Sequence, residues 1–254
     1  MTASVERIAG RLVEAFRNRL PFEASAADAP RDETDAYRVQ DLVFAALHPG
    51  SRASAWKVGG PSAEAEPTAA PIAQASVYRS PASVPVAAFQ VIGVEAEIAF
   101  LLARDLPARE TPYADDEVIA AVGEALVAIE LCDARLSNWK NSPALWKLAD
   151  FQMNAGLVLG GGARDWRMLD FSRQKAELWI DGKRMVEAVG VHPHGNPVRL
   201  MPWAAAHCAL RNGGLRAGDV VTTGSWTGIQ FVHPGCEVMA RFAGIGEARV
   251  RLER

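Results

Sequence analysis

Cysteine is scarce, with three residues (Cys132, Cys208, Cys236) in a chain of 254. Their odd number, wide spacing and lack of any CxxC argue against a disulfide framework or a zinc knuckle. Basic charge is not in excess: 27 Lys and Arg against 30 Asp and Glu leave a net charge of −3. That balance offers no electrostatic footing for nucleic acid or an anionic membrane. Long hydrophobic runs are missing as well. The apolar stretch Ile98–Ala103 is far too short to cross a bilayer. The start, Met1-Thr2-Ala3-Ser4-Val5-Glu6, has no basic leader followed by an apolar run. The expectation is a cytoplasmic protein that binds neither membrane nor nucleic acid.

What remains is a composition close to the globular norm, 49% hydrophobic and 22% charged, on a length that buries a sizeable core. Val5, Ile8, Leu12 and Phe16, with Leu20 beyond them, recur at helical spacing. Thr34-Asp35 opens a second helix in which Val39, Val43 and Ala46 share a face, closed by Pro49-Gly50. Ser62–Pro71 reads as irregular. Strand texture begins near residue 84 and includes an Asp181-Gly182 hairpin and closing strands around Val220, Glu237 and Ala248. These signals predict an α+β protein with a helical N-terminal part (1–75) joined to a strand-rich catalytic part (76–254), together one integrated unit.

The chemistry-bearing residues are acids in apolar company. In Gly93-Val94-Glu95-Ala96-Glu97-Ile98-Ala99-Phe100, the alternation of a strand points Glu95 and Glu97 the same way. Taken alone, an E-x-E is most simply an edge strand with a wet face. Glu130 sits in the apolar run Leu126–Cys132 and, alone, pairs readily with Arg135. Together the three make a carboxylate cup, and an all-oxygen donor set suits a hard divalent ion, Mg²⁺ or Mn²⁺. Lys57, in Trp56-Lys57-Val58-Gly59, reads either as a surface lysine beside a turn or as a cation for a substrate carboxylate or an acid/base group. The Thr223–Gly228 loop is either an ordinary turn or a set of N–H and hydroxyl donors for an anion. His192-Pro193-His194 reads as a surface loop.

In order and spacing, these segments resemble the fumarylacetoacetate hydrolase superfamily, in its hydratase/decarboxylase branch. The resemblance spans nearly the whole chain. It rests on Asp35–Gln40, Trp56–Gly59, Gly93–Phe100, Ala128–Arg135, Ala149-Asp150 with Val158–Gly160, Gly195–Pro197, Leu215–Val221 and Thr223–Ser225. It implies a mixed β-roll core with flanking helices and a homo-oligomer. It also implies a divalent metal on Glu95, Glu97 and Glu130, with Lys57 and Asp150 as catalytic residues and Gly59, Ser225 and Thr227 around the substrate. That substrate would be a small 2-oxo or 2-hydroxydienoate acid, hydrated in the manner of 2-keto-4-pentenoate hydratases. The neighbouring alternatives are decarboxylation of a 2-oxo diacid such as 4-oxalocrotonate, acylpyruvate-type C–C hydrolysis, and a non-catalytic partner subunit. Two segments depart from the pattern. The stretch Ser76–Ser83 lacks the acid of the Asp-Met pair that precedes the E-x-E strand, and Phe151-Gln152-Met153 replaces a small polar run.

Overall fold

The computed structural model describes residues 2–254; Met1, at the head of the expected helical part, lies outside the described residues. Two helices open the chain, Thr2–Asn18 and Glu33–Leu47. The first buries Val5, Ile8 and Leu12. It stops before Leu20, which is 70% exposed, because Arg19 turns into the left-handed region (φ 56°). The second helix is capped two residues earlier than Thr34 suggested: the Asp32 carboxylate accepts from Asp35 N–H.

Eight strands form the central mixed sheet. Seven lie side by side in the order Thr68–Ile72, Ala55–Gly59, Val220–Ser225, Gly93–Leu102, Val122–Cys132, Asn154–Ala163 and Val77–Arg79; Gln230–Phe231 also pairs with Gly93–Leu102. A five-stranded sheet holds Lys183–Val189, Lys175–Ile180, Glu237–Phe242, Gly246–Glu253 and Ala82–Pro85. The expected Asp181-Gly182 turn is present, with both residues at positive φ (48° and 75°) as a type I′ turn demands.

Alternation along the strands separates two interiors. Trp56, Val58, Val94, Ala96, Ile98, Phe100, Val127, Ile129 and Leu131 face the main core, together with Leu178, Val238 and Ala240 from the second sheet. Gly160 lies where the sheets meet most closely: a Cβ there would come within 2.2 Å of the Glu247 carbonyl. The opposite face of the central sheet carries only a small apolar patch, including Ala55, Ala99, Leu126, Ala128 and Val220. Lys57, Glu95, Glu97 and Glu130 share this second face by the same two-residue period.

Ser62–Pro71 is not wholly irregular. Its end joins the sheet as the edge strand Thr68–Ile72, and Pro71 fits because an edge strand leaves one side of its backbone unpaired. The second helix covers that edge. Tyr37 Oη accepts from Ala69 N–H (3.2 Å), and the fully buried Gln40 donates to the carbonyls of Ala69 (3.1 Å) and Leu148 (2.6 Å). The Asp35–Gln40 motif therefore fastens helix to sheet beside the strand that carries Lys57. No described helix is long and apolar enough to cross a membrane.

Candidate metal centre and active site

Register builds the site. Glu95 stands directly opposite Glu130 on the neighbouring antiparallel strand, and Glu97 is opposite Ser225 on the other side. Lys57 is paired with Thr222, and Thr222 in turn with Ala99. The Val220–Ser225 strand bulges between Thr222 and Ser225, and Gly224 takes φ 98° to allow it. The bulge aims two donors at one oxygen: Thr222 Oγ1–H and Gly224 N–H (3.1 Å) both reach Glu97 Oε2.

The partners found in space differ from the simplest pairing by sequence. Glu130 is not matched with Arg135; its Oε1 receives Lys57 Nζ (2.8 Å) and Asn154 Nδ2 (2.8 Å). Arg135 binds Asp150 instead, through Nε to Oδ1 (2.5 Å) and its own backbone N–H to Oδ2 (3.0 Å). Lys57 Nζ also approaches the Gln152 carbonyl (3.4 Å). Phe151, Gln152 and Met153 all have positive φ (52°, 54° and 64°), a costly run for residues with a side chain. The Asp150 clamp before it and the Asn154–Glu130 bond after it hold this run in place.

Burial sets the electrostatics. Glu95 is pushed up to about 7, first by burial and then by the Glu130 carboxylate, although Lys57 pulls it down. Glu97 is raised well above the usual carboxylate range, by burial and then by Glu130. Burial alone would depress Lys57, but the carboxylates of Glu130 and Glu95 outweigh it and hold the ammonium charged far above neutrality. Asp150 rises to about 6 because burial exceeds the pull of Arg135.

Three carboxylates against one ammonium leave an excess of two negative charges when all are ionised. Two of the carboxylate oxygens, Glu97 Oε1 and Glu130 Oε2, are buried without a hydrogen-bond partner. Such atoms are costly unless something binds them. A divalent cation would satisfy both the oxygens and the charge, so the donor set fits a hard metal. Among the described residues, ligand atoms of Glu95, Glu130 and Cys132 lie within 4.8 Å of one another, a group that does not include Glu97. Burial raises the Cys132 thiol well above its normal range, which keeps it protonated and a poor ligand for a hard ion. The remaining oxygen donor is Glu97.

A cavity of about 350 Å³ opens over these groups, lined by Lys57, Gly59, Glu95, Glu97 and Ser225, among others. Asp150 and Thr227 do not line it. The Asp150 carboxylate is spent on Arg135, and the Thr227 hydroxyl accepts from Ala96 N–H and donates to the Gly228 carbonyl. Gln152, Pro193 and His194 do line it; Gln152 belongs to the departing Phe151-Gln152-Met153 segment, which the resemblance puts beside the substrate, whereas Pro193 and His194 were not expected there from the sequence. Contrary to the surface reading, His192 and His194 are 4% and 7% exposed. His192 Nε2–H donates to the Thr223 carbonyl (2.8 Å), and its Nδ1 accepts from His194 N–H (3.3 Å). The signal available in the sequence was the neighbouring Gly195–Pro197 segment, one of those that carry the resemblance.

Residues 51–253 match the family described as fumarylacetoacetate (FAA) hydrolase, C-terminal. The chain is 30% identical to a 2-keto-4-pentenoate hydratase of Paraburkholderia phymatum, over 96% of each chain. It is 33% identical to a 2-keto-4-pentenoate hydratase of Burkholderia vietnamiensis, over 65% of this chain and 62% of that protein. The structure of 4-oxalocrotonate decarboxylase from Pseudomonas putida G7, complexed with magnesium and adipate, superposes with a TM-score of 0.86 over 99% of this chain and 98% of that one, at 21% identity. The fold is thus shared across nearly the full length of both chains. The chain belongs to the fumarylacetoacetate hydrolase family.

Proposed function

We propose that the protein is a divalent-metal-dependent hydro-lyase that adds water to a small 2-hydroxydienoate or 2-oxo acid, as its 2-keto-4-pentenoate hydratase relatives are named for doing. The observation that carries this reading is the Glu95–Glu97–Glu130 set, with Glu97 and Glu130 fully buried and Glu95 half-buried, two orphaned oxygens, and Lys57 in contact with Glu130. Glu95, Glu97 and Glu130 would hold Mg²⁺ or Mn²⁺. When bound, the ion supplies Lewis-acid stabilisation of negative charge on the substrate's 2-oxygen.

The residues around it define the remaining roles. Lys57, held charged, neutralises the substrate carboxylate, and its Nζ presents a proton to the inner end of the cavity. Ser225 and Gly59 line the path of the substrate. Asp150 acts at one remove: by clamping Arg135 it fixes the Phe151–Met153 turn, whose Gln152 carbonyl meets Lys57. Thr227 ties its loop to the E-x-E strand at Ala96. A role in the breakdown of aromatic compounds, a cytoplasmic setting and a homo-oligomeric state belong to the same proposal. Met168 and Leu210, 85% and 89% exposed, are apolar side chains that subunit contacts would cover.

The test is an ultraviolet absorbance assay of 2-hydroxydienoates and 2-oxo diacids, with and without Mg²⁺. Metal-dependent loss of the diene band with formation of a 4-hydroxy-2-oxo acid is the expected result. Release of CO₂ from the diacids without hydration would move the assignment to decarboxylation. No metal-dependent turnover of any member would leave the partner-subunit alternative standing.

A further inference from the structure

Two residues that line the cavity carry buried polar atoms with no partner and no part in the metal cup: His194 Nε2 and Gln152 Nε2. A buried polar atom left unsatisfied costs free energy, and beside a cavity a bound group can satisfy it. His194 is 7% exposed, and its backbone N–H is already fixed on His192 Nδ1. Gly60 faces the free nitrogen: a Cβ at that position would lie 3.2 Å from His194 Nε2, so the glycine keeps protein atoms out of that space. Gly60 follows Lys57 by three residues, about 10 Å along extended chain. The histidine therefore stands at the end of the cavity remote from the ammonium.

The rest of the lining agrees. Besides the charged and polar groups it consists of Gly59, Gly60, Pro61, Pro193 and Gly224, with no leucine, isoleucine, valine, phenylalanine or methionine. Pro61 and Pro193 are the apolar side chains of this lining, and polar side chains outnumber them. Gln152, in the segment where the chain departs from the small polar pattern of its family, adds an amide N–H₂ on a backbone locked by three consecutive left-handed residues.

We propose that His194, aided by Gln152, is a specificity residue that donates a hydrogen bond to an oxygen on the far end of the substrate, so that the chain selects 2-oxo acids with a terminal oxygen group, such as a second carboxylate, over those ending in a methyl. This rests on the proposed anchoring of a 2-oxo acid at the Lys57 and metal end.

The two claims separate in a binding experiment. Calorimetric titration of the Mg²⁺-loaded protein would use oxalate, 2-oxohexanoate and 2-oxoadipate, the last two differing only in methyl against carboxylate at the sixth carbon. The expected result is that oxalate binds, and that 2-oxoadipate binds roughly 10-fold or more tighter than 2-oxohexanoate. His194→Ala should erase most of that preference, His194→Gln should restore part of it, and Gln152→Leu should reduce it several-fold. All three variants should keep the oxalate and 2-oxohexanoate affinities. Equal binding of the two six-carbon acids by the unaltered protein overturns the specificity claim while leaving the anchoring intact. So does an equal loss for all three ligands in His194→Ala, which marks a structural role. Failure of oxalate to bind removes the anchoring itself, and the specificity claim with it.

Discussion

Glu95 and Glu130 face each other across adjacent antiparallel strands, in register and on the same side of the sheet. Like charges directly opposite in a sheet destabilise it. Here Lys57, reaching from a strand two places away on the other side of Glu95's strand, sits 2.8 Å from Glu130 and offsets only part of the charge. The arrangement leaves a demand for a cation, which the proposed function would meet.

Glu130→Gln and Glu95→Gln should each lower Mg²⁺ affinity by at least 10-fold and abolish metal-dependent turnover. Both should leave the protein folded, because each substitution keeps the shape of the side chain. Calorimetry against Mg²⁺ with thermal melting of the apo protein measures both effects. Glu95→Gln should leave apo melting unchanged or raise it, whereas Glu130→Gln should lower it, because Lys57 loses its ion-pair partner. Unchanged affinity and rate would remove these carboxylates from the metal site.

Lys57→Met separates the anion-binding role from the metal role. Without the ammonium, the carboxylate set loses the cation that contacts Glu130, so Mg²⁺ should bind as tightly as before or tighter. Turnover should fall by roughly 100-fold or more, since the substrate carboxylate and the proton at Nζ lose their group. Full activity in this variant would place Lys57 outside the chemistry.

The strand face of the E-x-E segment was legible because period-two alternation needs no tertiary information: Glu95 and Glu97 share a face whatever packs against them. Glu130 was legible as an acid in an apolar strand, but its partner was not. Sequence proximity favoured Arg135, whereas the sheet order brings Lys57 from 73 positions earlier in the chain. The burial of His192 and His194 was hidden for the same reason. A proline-bent loop looks solvated until the Thr223 carbonyl, from a distant strand, takes the His192 N–H. The edge strand at Thr68–Ile72 was obscured by Pro71, which is tolerated only because that strand has a free side. The family pattern carried the overall fold, since its motifs are the fastening points, such as Gln40 on Ala69 and Leu148.

The Arg135–Asp150 pair is buried, with side chains 5% and 0% exposed. Removing one partner strands the other, so Asp150→Ala should destabilise the protein by about 3–5 kcal/mol. Activity at a temperature where the variant is still folded should also drop, through the loosened Gln152 turn. The double substitution Arg135→Met with Asp150→Leu should recover most of the stability and little of the activity. Urea unfolding of the three proteins measures this. A stable Asp150→Ala would show that the clamp does not hold the turn.

Acid should weaken the fold through His192. Burial depresses this imidazole to about 4, despite its bond to the Thr223 carbonyl, from an ordinary 6.5. A histidine with a lowered folded value is neutral in the native protein but charged in the unfolded chain between those limits. The unfolded state then binds more protons, and stability falls as pH drops. The contribution is fully present above about pH 6.5 and is lost as pH falls toward 4, up to roughly 3 kcal/mol at about 1.4 kcal/mol per unit. The structural reason is specific: a second proton would sit on Nδ1, facing the His194 N–H that this nitrogen now accepts. His207, also depressed to about 4 by burial and then by Arg211, acts in the same direction, whereas Asp150, raised to about 6, gains protons on folding and acts against them. The measurement is therefore a difference. Urea midpoints at pH 7.5, 6.0 and 5.0 are compared between the unaltered protein and His192→Gln, whose amide supplies a donor and an acceptor but does not titrate. The gap between the two proteins should shrink, or reverse in favour of the variant, as pH falls through this window; parallel midpoints would mean that His192 takes up no proton on unfolding.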